Sequence, residues 1–236
     1  MIKWLRILGR GALIVIVLIV ALCGYLYFFH GYHDGTSSNA DLDGDQVMNG
    51  QDSDVDGDGV SNLRDADANG NGIGNHKEIA TKAESLVGTL YDPLKGGFNN
   101  IGGRMGFIVC IDVPRIAYAD AGLYFQQLLT EDYRENPDHY NTENGINTPA
   151  TNYFFRRVRN VYDFAKGNGL LIEKAAQPKV GDIVFYSQFH ATLVVGVYPD
   201  GTYDEVEADP DLIFVKEHHH KKWEPRDVAR ILPEGR

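Results

Sequence analysis

Val180-Gly-Asp-Ile-Val-Phe-Tyr186, followed after three residues by His190-Ala-Thr-Leu-Val-Val-Gly-Val-Tyr198, is the stretch on which the fold reading turns. Short runs rich in β-branched and aromatic residues, bounded by turn formers, read as strands. Pro199-Asp-Gly-Thr202 is a turn, and Tyr203-Asp-Glu-Val-Glu-Ala208 is a third strand. Leu212 to Val215 and Val228 to Leu232 read as further short strands. Upstream, Cys110 to Ala121 reads as a helix that Gly122 ends. Pro114 falls near its first turn, where proline is tolerated. A helix followed by an antiparallel sheet is an α+β arrangement.

Residues 79–236 are long enough to bury a core of their own. Lys77 to Val87 is helical, with Ile79, Ala83 and Leu86 on one face, and Thr151 to Ala165 is a second helix. Arg156, Arg157 and Arg159 give that helix a cationic patch, read either as a solvated face or as a contact for an anionic substrate or membrane surface. His218, His219 and His220 are read as a polar surface turn between Lys216 and Lys221. Adjacent residues on a strand point opposite ways, so the three are poorly placed to share one ion.

The chain has 236 residues and a formal net charge of −11. Such an acidic balance does not favour phosphate contacts, so nucleic acid is not expected as a partner. Two cysteines exclude a disulfide-dense scaffold and a four-cysteine zinc site. The acidity is local: residues 34–78 hold ten Asp and one Glu against Arg64 and Lys77. That tract repeats every thirteen residues. Copy one carries Asp41, Asp43, Asp45, Asn49 and Asp52; copy two carries Asp54, Asp56, Asp58, Asn62 and Asp65; copy three carries Asp67, Asn69, Asn71, Asn75 and Glu78. Oxygen-bearing side chains thus fall at positions 1, 3, 5, 9 and 12, the ligand spacing of the EF-hand loop, with Gly preferred at position 6 for the turn. Gln46 replaces that Gly in copy one. Val47, Val60 and Ile73, at position 7, are expected to pack inward. The tract is expected to bind Ca²⁺ rather than Mg²⁺, which prefers fewer protein ligands. Loaded, it should form a compact spacer between a membrane and the C-terminal domain.

Ala12 to Phe29 is an uncharged apolar run of eighteen residues. At about 1.5 Å per residue a helix of this length covers about 27 Å, enough for a thin bilayer. Lys3, Arg6 and Arg10 precede it, and no Lys or Arg follows before Arg64. The positive-inside rule then puts the N-terminus in the cytoplasm and the rest outside. Trp4, Tyr25 and Tyr27 suit the two interfaces. A cleaved signal peptide and lipidation at Cys23 are the competing readings, and both also export the C-terminal part. The expected layout is an anchor over 1–33, acidic repeats over 34–78 and the main domain over 79–236.

A cysteine at a helix start has chemical meaning. Orphan N–H groups and the helix dipole stabilise a thiolate, the nucleophilic form. A His on a facing strand can take the proton, and a third polar group can orient the imidazole. Cys110 and His190 are the candidates.

Val109-Cys110-Ile-Asp112-Val-Pro-Arg-Ile-Ala-Tyr-Ala-Asp-Ala-Gly122, Gly181-Asp182-Ile-Val-Phe-Tyr186 and His190-Ala-Thr-Leu-Val-Val-Gly196 together resemble the NlpC-type papain-like cysteine peptidases. The likeness is closest to a bacterial branch of exported domains and covers roughly residues 95–233. The preceding tract is similar to thrombospondin type 3 and dockerin-like calcium repeats. The resemblance implies a Cys-bearing helix packed on an antiparallel sheet or barrel, and hydrolysis of amide bonds in bacterial cell-wall peptides. It makes Cys110 the nucleophile and His190 the base. It places the orienting residue at Glu207, with Glu205 as runner-up. The common Asp-Cys-Ser start is Val-Cys-Ile here, and the third residue is more often His or a neutral amide. Asp112 is read as a cap or a local partner of Arg115. The expected function is a single-pass, membrane-anchored cysteine hydrolase with its domain periplasmic or extracellular. The alternatives are a non-catalytic envelope-binding module and a lipid-directed acyltransferase on the same scaffold.

Overall fold

The computed structural model describes residues 2–33, 38–97, 101–151 and 153–232, with side chains from Gly11 onward. Lys3, Trp4, Arg6, Arg10 and Asp34 therefore lie outside the described side chains. Six α-helices and six strands are described: α1 Ile2–His30, α2 Asn75–Ser85, α3 Ile101–Arg104, α4 Asp112–Asp120, α5 Phe125–Glu135, α6 Val158–Gly167, then β1 Leu171–Ala175, β2 Ile183–Ser187, β3 His190–Val197, β4 Thr202–Glu207, β5 Lys216–Lys222 and β6 Arg226–Ala229. The strands form one antiparallel sheet in the order β1-β6-β2-β3-β4-β5. This is an α+β fold, helices first and sheet last.

Alternation along the strands gives the sheet two apolar faces. Ile183, Phe185, Leu193 and Val206 join the main core beneath the helices. Val184, Val194, Tyr203 and Val228 form a smaller cluster on the other side, with Tyr186 and Trp223 against it. Trp223, just after edge strand β5, donates Nε1–H to the Ala175 carbonyl of edge strand β1 at 2.8 Å. The two edges are thereby drawn together, and the sheet curls around the second cluster.

The predicted apolar face of α2 is in place. Ile79, Ala83 and Leu86 are fully buried, each large side chain contributing about 2 kcal/mol. Their partners are α4 and β3. α2 begins at Asn75, inside the third acidic repeat, so it runs across the boundary expected after residue 78.

Other elements differ from the sequence reading for physical reasons. The 151–165 segment is not one helix: a 3-10 turn at Phe154–Arg156 is followed by an extended Arg157 and then α6. Phe154 is buried and Arg156 is drawn toward α4, which breaks the run. Leu212–Val215 is not a strand. Ile213 sits at φ +66, an outlier for a β-branched residue, and only Phe214 bridges, to Leu90. The strand starts at Lys216 instead, so the three histidines lie on β5 rather than in a turn. Helix α5 and strand β1 escaped the sequence reading.

Within the described residues, α1 is long and apolar enough over Gly11–His30 to cross a membrane, and its apolar side chains are exposed. Cys23 lies inside this helix, exposed. The spacer expectation is overturned. The end of α1 is hydrogen-bonded directly to the domain: Leu90 N–H donates to His30 O at 2.8 Å, Tyr32 N–H to Gly106 O at 2.8 Å, and His30 Nδ1–H to Gly88 O at 3.0 Å. The acidic tract packs beside the domain rather than beneath it. Asn69 Nδ2–H donates to Asp120 O at the end of α4. A Cβ on Gly122, at φ +85, would meet Ala68 O at 2.9 Å, so glycine is needed there for both backbone angle and close approach.

Candidate functional site

Asp112 builds the turn that carries Cys110. α4 starts at Asp112, two residues after the cysteine. The Asp112 carboxylate reaches back to accept Val109 N–H at 3.0 Å. It also accepts Arg115 Nε–H at 2.8 Å, as the sequence suggested, and two donors of Arg156, which the sequence did not suggest. Its burial is complete. Burial alone would push its carboxyl up, but Arg115 and Arg156 outweigh that and hold it at about 2.

Cys110 is buried at the floor of a cleft of about 540 Å³. His190 lines the same cleft, and the Cys110 Sγ lies 3.6 Å from the carbonyl of the neighbouring Phe189. His190 opens β3, and Glu207 ends the adjacent β4. Between them Nε2 and Oε1 are 2.6 Å apart. Burial disfavours the charged imidazole, yet hydrogen bonding to the Cys110 sulfur and to Glu207 prevails and raises His190 to about 10. That hydrogen bond in turn holds the Glu207 carboxyl below its usual range, with His218 and Lys221 assisting.

Glu205 has a different position. It is fully buried and takes hydrogen bonds from Tyr186 at 2.9 Å, Thr192 at 2.9 Å and Tyr203 at 3.2 Å, with Lys221 as its ion-pair partner. These donors commit it to the inside of the curled sheet, and Glu207 is the carboxylate that faces His190.

Three neighbours were missed by sequence reasoning. His218 Nε2 lies 2.8 Å from Glu207 Oε2, at ion-pair distance though without hydrogen-bond alignment. The alternation of β5 could have signalled it. Asp209 Oδ2 is 3.9 Å from His190 Nδ1, and ligand atoms of His190, Glu207 and Asp209 gather within 4.8 Å, a set able to hold a metal ion. Tyr91 lines the cleft, and burial first, then the Cys110 and Asp209 charges, push its phenol up to about 12. It stays a neutral O–H donor at physiological pH.

The acidic repeats fold into three matching loops. Position 1 accepts the position 6 N–H in each: Asp41 from Gln46 at 3.1 Å, Asp54 from Gly59 at 3.0 Å, Asp67 from Gly72 at 2.8 Å. Gln46 makes the glycine turn at φ +77. The position 9 residues Asn49, Asn62 and Asn75 are buried and accept the N–H of Leu42, Val55 and Ala68. Their oxygens thus staple the loops. Val47, Val60 and Ile73 are exposed, contrary to expectation; Val55 and Ala68, at position 2, pack inward instead.

The carboxylate oxygens of Asp41, Asp43 and Asp45 converge within 4.8 Å, as do those of Asp54, Asp56 and Asp58. Asp52 Oδ2, Asp54 Oδ1, Asp65 Oδ2 and Asp67 Oδ1 are buried without a hydrogen-bond partner. Buried, orphaned carboxylate oxygens at positions 1 and 12 are the donors a hard cation takes. In the third loop Asn69 and Asn71 turn amide N–H groups onto Glu78.

Residues 96–209 match the model of a domain of unknown function, DUF1287. The matched region begins before α3 and ends at Asp209, so it holds Cys110, His190, Glu207 and most of the cleft lining. The acidic loops and α1 lie outside it. No curated protein and no solved structure matched the chain.

Proposed function

We propose that this chain is a membrane-anchored cysteine hydrolase acting on amide bonds, with cell-wall peptides as the substrate class suggested by the papain-like resemblance. The meeting of Cys110 and His190 in one cleft, with Glu207 hydrogen-bonded to His190, is the observation that carries the reading. In this mechanism the proton of Cys110 rests on His190, and Glu207 holds the imidazolium. The sulfur attacks the amide carbonyl, and the Cys110 backbone N–H and Tyr91 O–H are the available donors for the oxyanion. The C–N bond breaks as His190 returns the proton to the leaving amine. Water, deprotonated by His190, then cleaves the thioester to acid and free thiol.

Lys3, Arg6 and Arg10, in the first turns of α1 ahead of its apolar run, support a domain outside the cytoplasm. Because the domain abuts the end of α1, its cleft would work close to the membrane. Purified sacculi incubated with wild type should release new amino groups, and Cys110→Ala should release none. Release by both would remove Cys110 from the chemistry. A lipid-directed acyltransferase would instead transfer the acyl group to an added amine or alcohol without net hydrolysis.

We also propose that the loops over 41–78 hold Ca²⁺, which would neutralise their converging carboxylates. A non-specific protease should cleave this tract at least about tenfold more slowly in millimolar Ca²⁺ than in chelator, since local opening must then release the ion. Equal cleavage rates would count against a cation-ordered tract.

A further inference from the structure

The cleft carries a charge that the hydrolytic steps leave unused. Lys95, Arg156, Arg157 and Arg159 line it against the acids Glu143 and Asp209, in a chain of net charge −11. Arg156 is held by Asp112. Arg157 and Arg159 both turn onto Glu143: Arg157 Nη1–H donates to Oε2 at 2.9 Å, and Arg159 Nη2–H donates to Oε1. Two guanidinium groups thus face one carboxylate, and they hold its carboxyl below the usual range.

Their placement favours an anion. Arg157 is the N-cap of α6 and Arg159 lies in its first turn. A helix N-terminus is already electropositive, so two cations there are unfavourable unless an anion joins them. Glu143 supplies it from a turn in which Glu143, Asn144 and Gly145 are all left-handed, at φ +48, +59 and +87. Two successive non-glycine residues in that region strain the turn. A strained turn therefore delivers an internal carboxylate to the wall of the cleft that contains Cys110.

We propose that Arg157 and Arg159 form a carboxylate-binding subsite, that Glu143 is its internal occupant, and that the substrate bears a carboxylate near its scissile amide that displaces Glu143. Paired planar forks suit a carboxylate. This inference rests on Cys110 being the nucleophile.

The test needs no known substrate. The full chain in detergent is alkylated at pH 7 with neutral iodoacetamide or anionic iodoacetate, and modification of the Cys110 peptide is followed by mass spectrometry. A small thiol peptide serves as reference. The iodoacetate-to-iodoacetamide rate ratio should exceed the reference by roughly fivefold, the size expected for a few cations acting through partly wet protein. It should drop severalfold in Arg157→Gln/Arg159→Gln and rise in Glu143→Gln. Arg157→Lys/Arg159→Lys, which keeps the charge, should retain most of it. An unimpaired iodoacetamide rate in each variant shows that the cleft is intact. Rapid alkylation by both reagents with a ratio unmoved by the double Gln change would overturn the subsite and leave the nucleophile standing. Alkylation by neither reagent above the reference rate would overturn both.

Discussion

His190→Ala should slow alkylation of Cys110 by iodoacetamide at pH 5 by roughly tenfold or more. An ordinary thiol, with pKa about 8.5, holds well under a thousandth of its population as thiolate at that pH. Under the proposed mechanism His190 takes the thiol proton, so the sulfur should react in spite of this. Glu207→Gln should produce a smaller loss, because the imidazolium keeps its sulfur partner and loses only the carboxylate. Rates that follow an ordinary thiol in wild type, and ignore both changes, would favour a binding module with an inert cysteine. Stability gives an independent readout. His190 is raised from 6.5 to about 10 in the folded protein. Its contribution is then complete below pH 6.5 and disappears as pH rises through about 10. Wild type should lose melting temperature across that window, and His190→Ala should lose less.

Asp112→Ala should cost about 3–5 kcal/mol in urea unfolding, the usual cost of removing one partner from a buried ion pair. Arg156, whose side chain is only 10% exposed, would be left charged without its carboxylate, and Val109 N–H without its acceptor. The pH dependence has the opposite sign to that of His190. Asp112 is lowered from 3.8 to about 2. It therefore adds about 2 kcal/mol that is fully present above pH 4 and is lost as pH falls through about 2. A wild-type protein no more stable than Asp112→Ala at pH 7 would contradict the buried pairing. Because Asp112 also shapes the turn before α4, Asp112→Asn, the milder change, should slow Cys110 alkylation even where the chain stays folded.

The features legible in the sequence are those held by short-range geometry. The three loops close through hydrogen bonds two, five and seven residues apart, so a thirteen-residue period displays them. Helix α1 follows from an unbroken apolar run, and β2, β3 and β4 follow from alternation and turn residues. Periodicity failed at position 7 of the loops. It marks a repeated apolar residue without telling which side of the loop the neighbouring surface covers.

The sequence by itself determined the apolar span, the converging acidic loops and the order of helices before an antiparallel sheet, although Cys110 precedes its helix rather than lying in it. All three depend on spacing along the chain. Only the tertiary structure decided that Asp112 holds Arg156, forty-four residues away, that Glu207 lies between His190 and His218, and that Glu143 meets Arg157 and Arg159. It also set the end of α1 against Gly88, fifty-eight residues on. Charges and polar groups carry no period that names a partner; the partner is chosen by which elements the core packs together and by the need of each buried charge for a counter-charge.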